Sequence, residues 1–147
     1  MQNATGVDLL LTGAYSVLDG HSNAGGSDWS RAGDNWWMDV LADDAHKGSS
    51  DGDQADLLAM ELYTWDTNNP YFLGKWRALF AGVNRANAVI DLINNSENPA
   101  DFTTELAQAR FLRGHYNFEL SRMWVNVPYI SDCLLYTSDA ADEKRCG

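Results

Sequence analysis

The sequence predicts an all-α protein, and three observations carry that reading. Apolar residues recur at helical spacing through two stretches of more than twenty residues each. Clusters of Gly, Ser, Asp, Asn and Pro punctuate the chain between the periodic segments. Alternating strand patterns are weak throughout; only "NVPYI" looks extended, because Pro128 removes a backbone donor and biases Val127 away from helix.

The first helix is expected over Val7 to Leu18, with Val7, Leu10, Leu11, Ala14, Tyr15 and Leu18 on one side. Thr5 is its expected N-cap and Gly20 its stop. The stretch "GHSNAGGSDWSRAGD" favours a loop. In "NWWMDVLADDA", Trp36, Trp37, Val40 and Leu41 share one helical side and predict a short helix. A second loop, "HKGSSDGDQ", precedes a short helix from Leu57 to Tyr63. That helix should end at "TWDTNNP", where Pro70 can occupy the first turn of the next helix.

Two long helices complete the pattern. From Tyr71 to Ile93 the series Phe72, Trp76, Leu79, Phe80, Val83, Val89, Ile90 and Ile93 holds one stripe for about six turns. After "NSENPAD", residues Phe102 to Trp124 repeat the rhythm with Leu106, Ala109, Leu112, Tyr116, Leu120 and Met123. Phe111, His115 and Phe118 lie away from that stripe and predict packing on a second side. Gly82 and Gly114 sit mid-helix, and close helix crossing is the expected reason for both. Such a hairpin is the unit that stacks in tetratricopeptide-like arrays.

Composition bounds the function. The chain has 147 residues and a formal charge of −11, which argues against nucleic acid and against an anionic membrane surface, because both need a basic footprint. The two cysteines, Cys133 and Cys146, both lie near the C-terminus. No metal site is expected: His21, His46 and His115 lack ligand-like spacing with Cys, Asp or Glu. An EF-hand register counted from Asp51 puts Ala55, Asp56 and Leu62 where an oxygen ligand, Gly and Glu belong. There is no Gly-rich phosphate loop and no nucleophile elbow, so no cofactor is expected. Asp43 and Asp44 are adjacent, so on a helix they diverge by about 100° and cannot flank one bond as a glycosidase pair.

From Cys133 the helical rhythm stops. The stretch "CLLYTSDAADE" resembles the conceptual translation of a sequencing adapter. Residues 1–132 are therefore expected to be an incomplete helical domain and residues 133–147 an artefactual tail.

The stretch "ELAQARFLRGHYNFELSRMWVNVPYISD" resembles the signature helix of the SusD/RagB family and the VP segment after it. "KWRALFAGVNRANAVIDLI" is similar to that family's preceding helix, "LLLTGAYSVLDG" to its first, and "DVLADDAHKG" to a segment of one subgroup. The resemblance covers Asn3 to Asp132. It implies the N-terminal part of a nutrient-binding outer-membrane lipoprotein, built on tetratricopeptide-like helix pairs with long loops and exposed at the cell surface. Its implied partner is a SusC-like, TonB-dependent transporter, and its implied ligand an oligosaccharide or, in some members, a peptide. It implies no enzyme. The family's secretion signal and lipidated cysteine are not present in this chain, so export and lipid anchoring rest on kinship.

Sugar rings bind flat aromatic faces, because their C–H groups meet the electron-rich π cloud while nearby polar groups bond the hydroxyls. Trp29, Trp36, Trp37 and Trp65 have suitable neighbours in Asp28, Asp34, Asn35, Asp66 and Asn68. Trp65, between Thr64 and Asp66, is the leading platform candidate, with Trp36, Trp37, Asp66 and Asn68 as further ligand-binding candidates. Anchoring a short helix to the core is the competing role for Trp36 and Trp37. Trp76 and Trp124 continue apolar stripes and are expected in the core. Asn84 and Asn87 are expected to tie neighbouring backbones, and Arg110 and Arg113 to meet carboxylates. From another class, a helical-repeat adaptor binding a protein segment on its concave face is the alternative function.

Overall fold

The computed structural model describes residues 4–19, 36–50 and 52–131. The tail from Cys133 and the candidates Asp28, Trp29, Asp34 and Asn35 lie outside the described residues. All regular structure among the described residues is helical. The helices are α1 (Ala4–Asp19), α2 (Trp36–Leu41), α3 (Ala55–Glu61), α4 (Pro70–Asn94) and α5 (Thr103–Met123), with a 3-10 turn over Pro99–Phe102 before α5.

Local chemistry explains most of the boundaries. Asn69 caps α4 by accepting from the Tyr71 N–H at 3.0 Å, and Pro70 occupies the first helical position, as the sequence predicts. Beyond α2, Asp43 takes a left-handed conformation (φ 67°) and the chain turns away. Asp43 and Asp44 therefore lie in a turn and not on a helix. Tyr63 does the same beyond α3 (φ 54°). Helix α1 already includes Thr5, which is thus not its N-cap.

Helices α4 and α5 form an antiparallel pair, registered by Trp76 opposite Trp124, Gly82 opposite Tyr116 and Asn87 opposite Arg113. Helix α1 lies against both, burying Val7, Leu11, Ala14 and Val17 on Leu79, Val83, Ala86, Leu112 and Tyr116. Polar ties hold it there. Arg85 donates to the Gly13 carbonyl and to Ser16 Oγ, each at 2.9 Å, and the Tyr15 hydroxyl donates to Gln108 Oε1 at 3.0 Å. A smaller cluster of Trp37, Val40, Leu57, Met60 and Tyr71 fixes α2 and α3 to the start of α4.

Gly82 has the structural reason that its position predicts, and Gly114 does not. A Cβ on Gly82 would lie 2.6 Å from the Tyr116 ring, whereas one on Gly114 would meet nothing within 4 Å. The second apolar side of α5 also differs from expectation: Phe111 is 71% exposed and Phe118 58%. Arg113 bonds neutral acceptors, the Asn87 Oδ1 at 3.1 Å and the Ser131 carbonyl at 3.2 Å.

Substituting the two glycines separates their roles. Gly82→Ala should destabilise by about 1–3 kcal/mol through overpacking, while Gly114→Ala should stabilise by about 0.5–1 kcal/mol through the lower backbone entropy cost. Urea denaturation of both variants measures this; equal effects at the two positions would contradict the close crossing at Gly82.

Candidate functional site

The α3–α4 connection is built to hold one aromatic ring outward. The Thr64 N–H donates to the Ala59 carbonyl at 2.8 Å, which ends α3. Two residues on, Asp66 Oδ1 accepts from the Asn68 N–H at 2.7 Å, and its carbonyl accepts from the Asn69 N–H at 3.3 Å. This Asx turn needs the short acceptor side chain that Asp supplies. Asn69 then locks the turn to α3, donating through Nδ2 to the Asp56 carbonyl at 2.9 Å.

Between these anchors stands Trp65, 39% exposed. Its ring is tilted against Tyr63 (centroids 5.7 Å apart) and lies edge-on to Phe72 (6.1 Å, 80°). Both distances fall in the range of favourable aromatic pairs. The indole is therefore held by two rings while keeping accessible surface.

Trp65 stands at a cleft of about 500 Å³. Met38 and Leu41 of α2 and Phe72 of α4 supply apolar walls, and the end of α5 supplies Arg122, Met123 and Trp124. Asp66 and Thr67 add polar groups. Arg122 is oriented by Glu119, whose carboxylate oxygens accept from Nη1 at 3.0 and 3.2 Å, and its guanidinium lies 5.9 Å from the Phe118 ring centre. Apolar walls with a few placed polar groups are the general form of a small-ligand site.

Of the candidates read from sequence, Trp65 and Asp66 line this cleft. Asn68 is exposed beside it, its backbone N–H held by Asp66. Trp37 is fully buried, packed against Tyr71 and edge-on to Phe72. The side chain of Trp36 lies outside the described residues. Sequence reasoning missed Thr67, Phe72, Arg122 and Met123 as cleft residues. Trp124 packs on the core, as its stripe predicts, and also faces the cleft. The missed signal was the α5 exit beside the start of α4, which the antiparallel pairing of the two long helices implies.

The helical scaffold thus presents a partly exposed, braced tryptophan at a mixed apolar and polar cleft. A SusD-like family model, described as starch-binding and associating with the outer membrane, matches residues 10–145, and the chain belongs to that family. No curated protein and no solved structure was found to match the chain. Among the described residues no helix is long and apolar enough to cross a membrane, and no three His, Cys, Asp or Glu side chains converge as a metal site would need.

The loop between α2 and α3 is gathered by its own charges and fastened to α3. Lys47 Nζ donates to Ser49 Oγ at 3.1 Å and to the carbonyls of Ser50 and Asp53 at 2.6 and 2.5 Å, so an ammonium gathers the loop's oxygens. Glu61 accepts from the Lys47 N–H at 3.0 Å and meets His46 Nδ1 at 2.8 Å. The Glu61 hydrogen bond raises the His46 pKa above its ordinary 6.5, and the His46 hydrogen bond lowers that of Glu61 below 4.5. The raised His46 value makes its contribution full below pH 6.5 and lost as pH rises through the folded value. The lowered Glu61 value makes its contribution full above pH 4.5 and lost as pH falls through the folded value. The tether is thus strongest between these limits. An NMR titration of the His46 ring should give a midpoint above 6.5, and Glu61→Gln should move it down; an unmoved midpoint would mean that the pair does not form in solution.

Proposed function

We propose that this chain is a surface glycan-binding component of an outer-membrane uptake complex, and that it captures oligosaccharide at the Trp65 cleft for a partner transporter. The observation that carries this reading is the exposed indole of Trp65, braced by Tyr63 and Phe72 at the cleft, in a chain whose family is described as starch-binding. The chemistry suits a sugar. The electron-rich ring face takes axial C–H groups of a pyranose, with Trp124 and Met123 as apolar surface nearby. Asp66 is placed to accept from hydroxyls, and Arg122 to donate to hydroxyl or ring oxygens.

The walls come from three places in the chain, the α2 helix, the α3–α4 turn and the end of α5, so the fold must form before the site exists. Anchoring is proposed to run through a lipid, with a SusC-like, TonB-dependent transporter as partner. These parts rest on the family's association with the outer membrane. The role is capture and not catalysis.

A second reading, a helical-repeat adaptor, is favoured by Phe111 and Phe118, which α5 presents outward. The two readings place binding on different surfaces. Trp65→Ala in the full chain should weaken starch oligosaccharide binding by roughly 30-fold, about 2 kcal/mol, as expected on truncating an aromatic hot spot. Titration calorimetry measures this. Unchanged affinity in Trp65→Ala would remove the platform role.

A further inference from the structure

The Trp65 cleft uses only the beginning of a longer surface. Phe72, Trp76, Phe80 and Asn84 recur at every fourth residue of α4, forming one stripe about 18 Å long at 1.5 Å per residue. Phe72 lines the Trp65 cleft. The other three line a second cleft of about 340 Å³, with Arg77 on α4 and Pro128 and Ile130 of the segment leaving α5. The two clefts share an aromatic boundary. Trp124, from the first, meets Trp76, from the second, edge-on at 5.0 Å and 83°, and Trp76 lies 4.6 Å from Phe80.

The second cleft also holds an unanswered polar atom. Asn84 Oδ1 is buried with no hydrogen-bond partner among the described residues. Buried acceptors are nearly always satisfied by protein or water, so an unpartnered one at a cleft is a place where a bound donor would gain a hydrogen bond. Arg77, exposed on the same cleft, is a pure donor. An acceptor and a donor beside an aromatic surface match a group that both gives and takes hydrogen bonds. A neutral sugar ring does so through its hydroxyls and has a C–H face for Trp76. A carboxylate or phosphate offers acceptors alone, which would answer Arg77 and leave Asn84 without a donor. The chain's net charge of −11 opposes an anion as well.

We infer that Trp76, Arg77, Phe80 and Asn84 form a second saccharide subsite, continuous with the first through the Trp76–Trp124 contact. The ligand is then an extended oligosaccharide, whose successive rings pass from Trp65 to Asn84 along α4. This rests on the glycan reading of the Trp65 cleft and adds to it the length of ligand recognised.

Calorimetric titration of the full chain with linear starch oligosaccharides, from disaccharide to heptasaccharide, tests the subsite. Affinity should rise with length until both clefts are filled. Asn84→Leu, which places an apolar side chain at the wall, and Arg77→Ala, at an exposed position, should each lower heptasaccharide affinity roughly tenfold and leave disaccharide affinity unchanged. Trp65→Ala should weaken binding at every length. Equal affinity for short and long oligosaccharides, or wild-type heptasaccharide affinity in both α4 variants, would overturn the second subsite while leaving the Trp65 reading intact. Wild-type affinity at all lengths in Trp65→Ala would overturn the first reading instead, and no oligosaccharide binding by the wild-type chain would overturn both.

Discussion

The structure depends on the place where Tyr116 meets Gly82. The phenol ring lies so close to the α4 backbone that a Cβ there would sit 2.6 Å from ring carbons, and its hydroxyl donates to the Ala14 carbonyl at 2.6 Å. One side chain thus sets the spacing of α4 and α5 and fastens α1 across them. Burial pushes the Tyr116 pKa up to about 12, so the hydroxyl stays a neutral donor throughout the ordinary pH range. That spacing has a consequence at the other end of the pair. Trp124 leaves α5 against Trp76 of α4, and the walls of the cleft beside Trp65 face one another only if the two helices cross as closely as Gly82 permits.

A second constraint acts on the chain beyond α5. Asn87 donates through Nδ2 to the Ile130 carbonyl at 3.1 Å and accepts from Arg113 at 3.1 Å, while Arg113 also donates to the Ser131 carbonyl. The Arg113 guanidinium lies 5.9 Å from the Tyr129 ring centre. These contacts pin residues 129–131 along the helix pair without any regular structure in the segment. A pinned segment is useful beside a cleft, because the ordering of its backbone is already complete before a ligand arrives. The same logic applies to the α3–α4 connection, where Asp66 and Asn69 fix the turn that carries Trp65.

The helices were legible because their stripes are long, and because Asn69 and Pro70 write a helix start in residue chemistry alone. The site was legible only in part, for a physical reason that the tryptophans illustrate. Trp37 and Trp65 both sit near Asp residues, Trp37 in the short helix α2 and Trp65 in the connection from α3 to α4. Trp37 falls on the inner side of α2 and is fully buried against Tyr71 and Phe72. Trp65 sits beyond the left-handed Tyr63, in a turn that directs it out. Local pattern carries the periodicity of an element but not the direction in which a turn sends it. That direction depends on contacts such as the Asn69 bond to Asp56, thirteen residues apart.

The asparagines of α4 make the same point at closer range. Asn84 and Asn87 lie three residues apart in one helix, and the sequence assigns both the role of tying neighbouring backbone. Asn87 performs it, because it faces Arg113 and the returning segment at Ile130. Asn84 is almost a full turn earlier and falls on the stripe with Phe72, Trp76 and Phe80, where no donor among the described residues reaches its carbonyl. One helical turn therefore separates an amide that completes the fold from one that the fold leaves unanswered. A structural role accounts for the first through bonds within the described chain. The second has no partner among the described residues, and it stands beside Trp76 and Arg77 at the cleft where the second subsite is proposed.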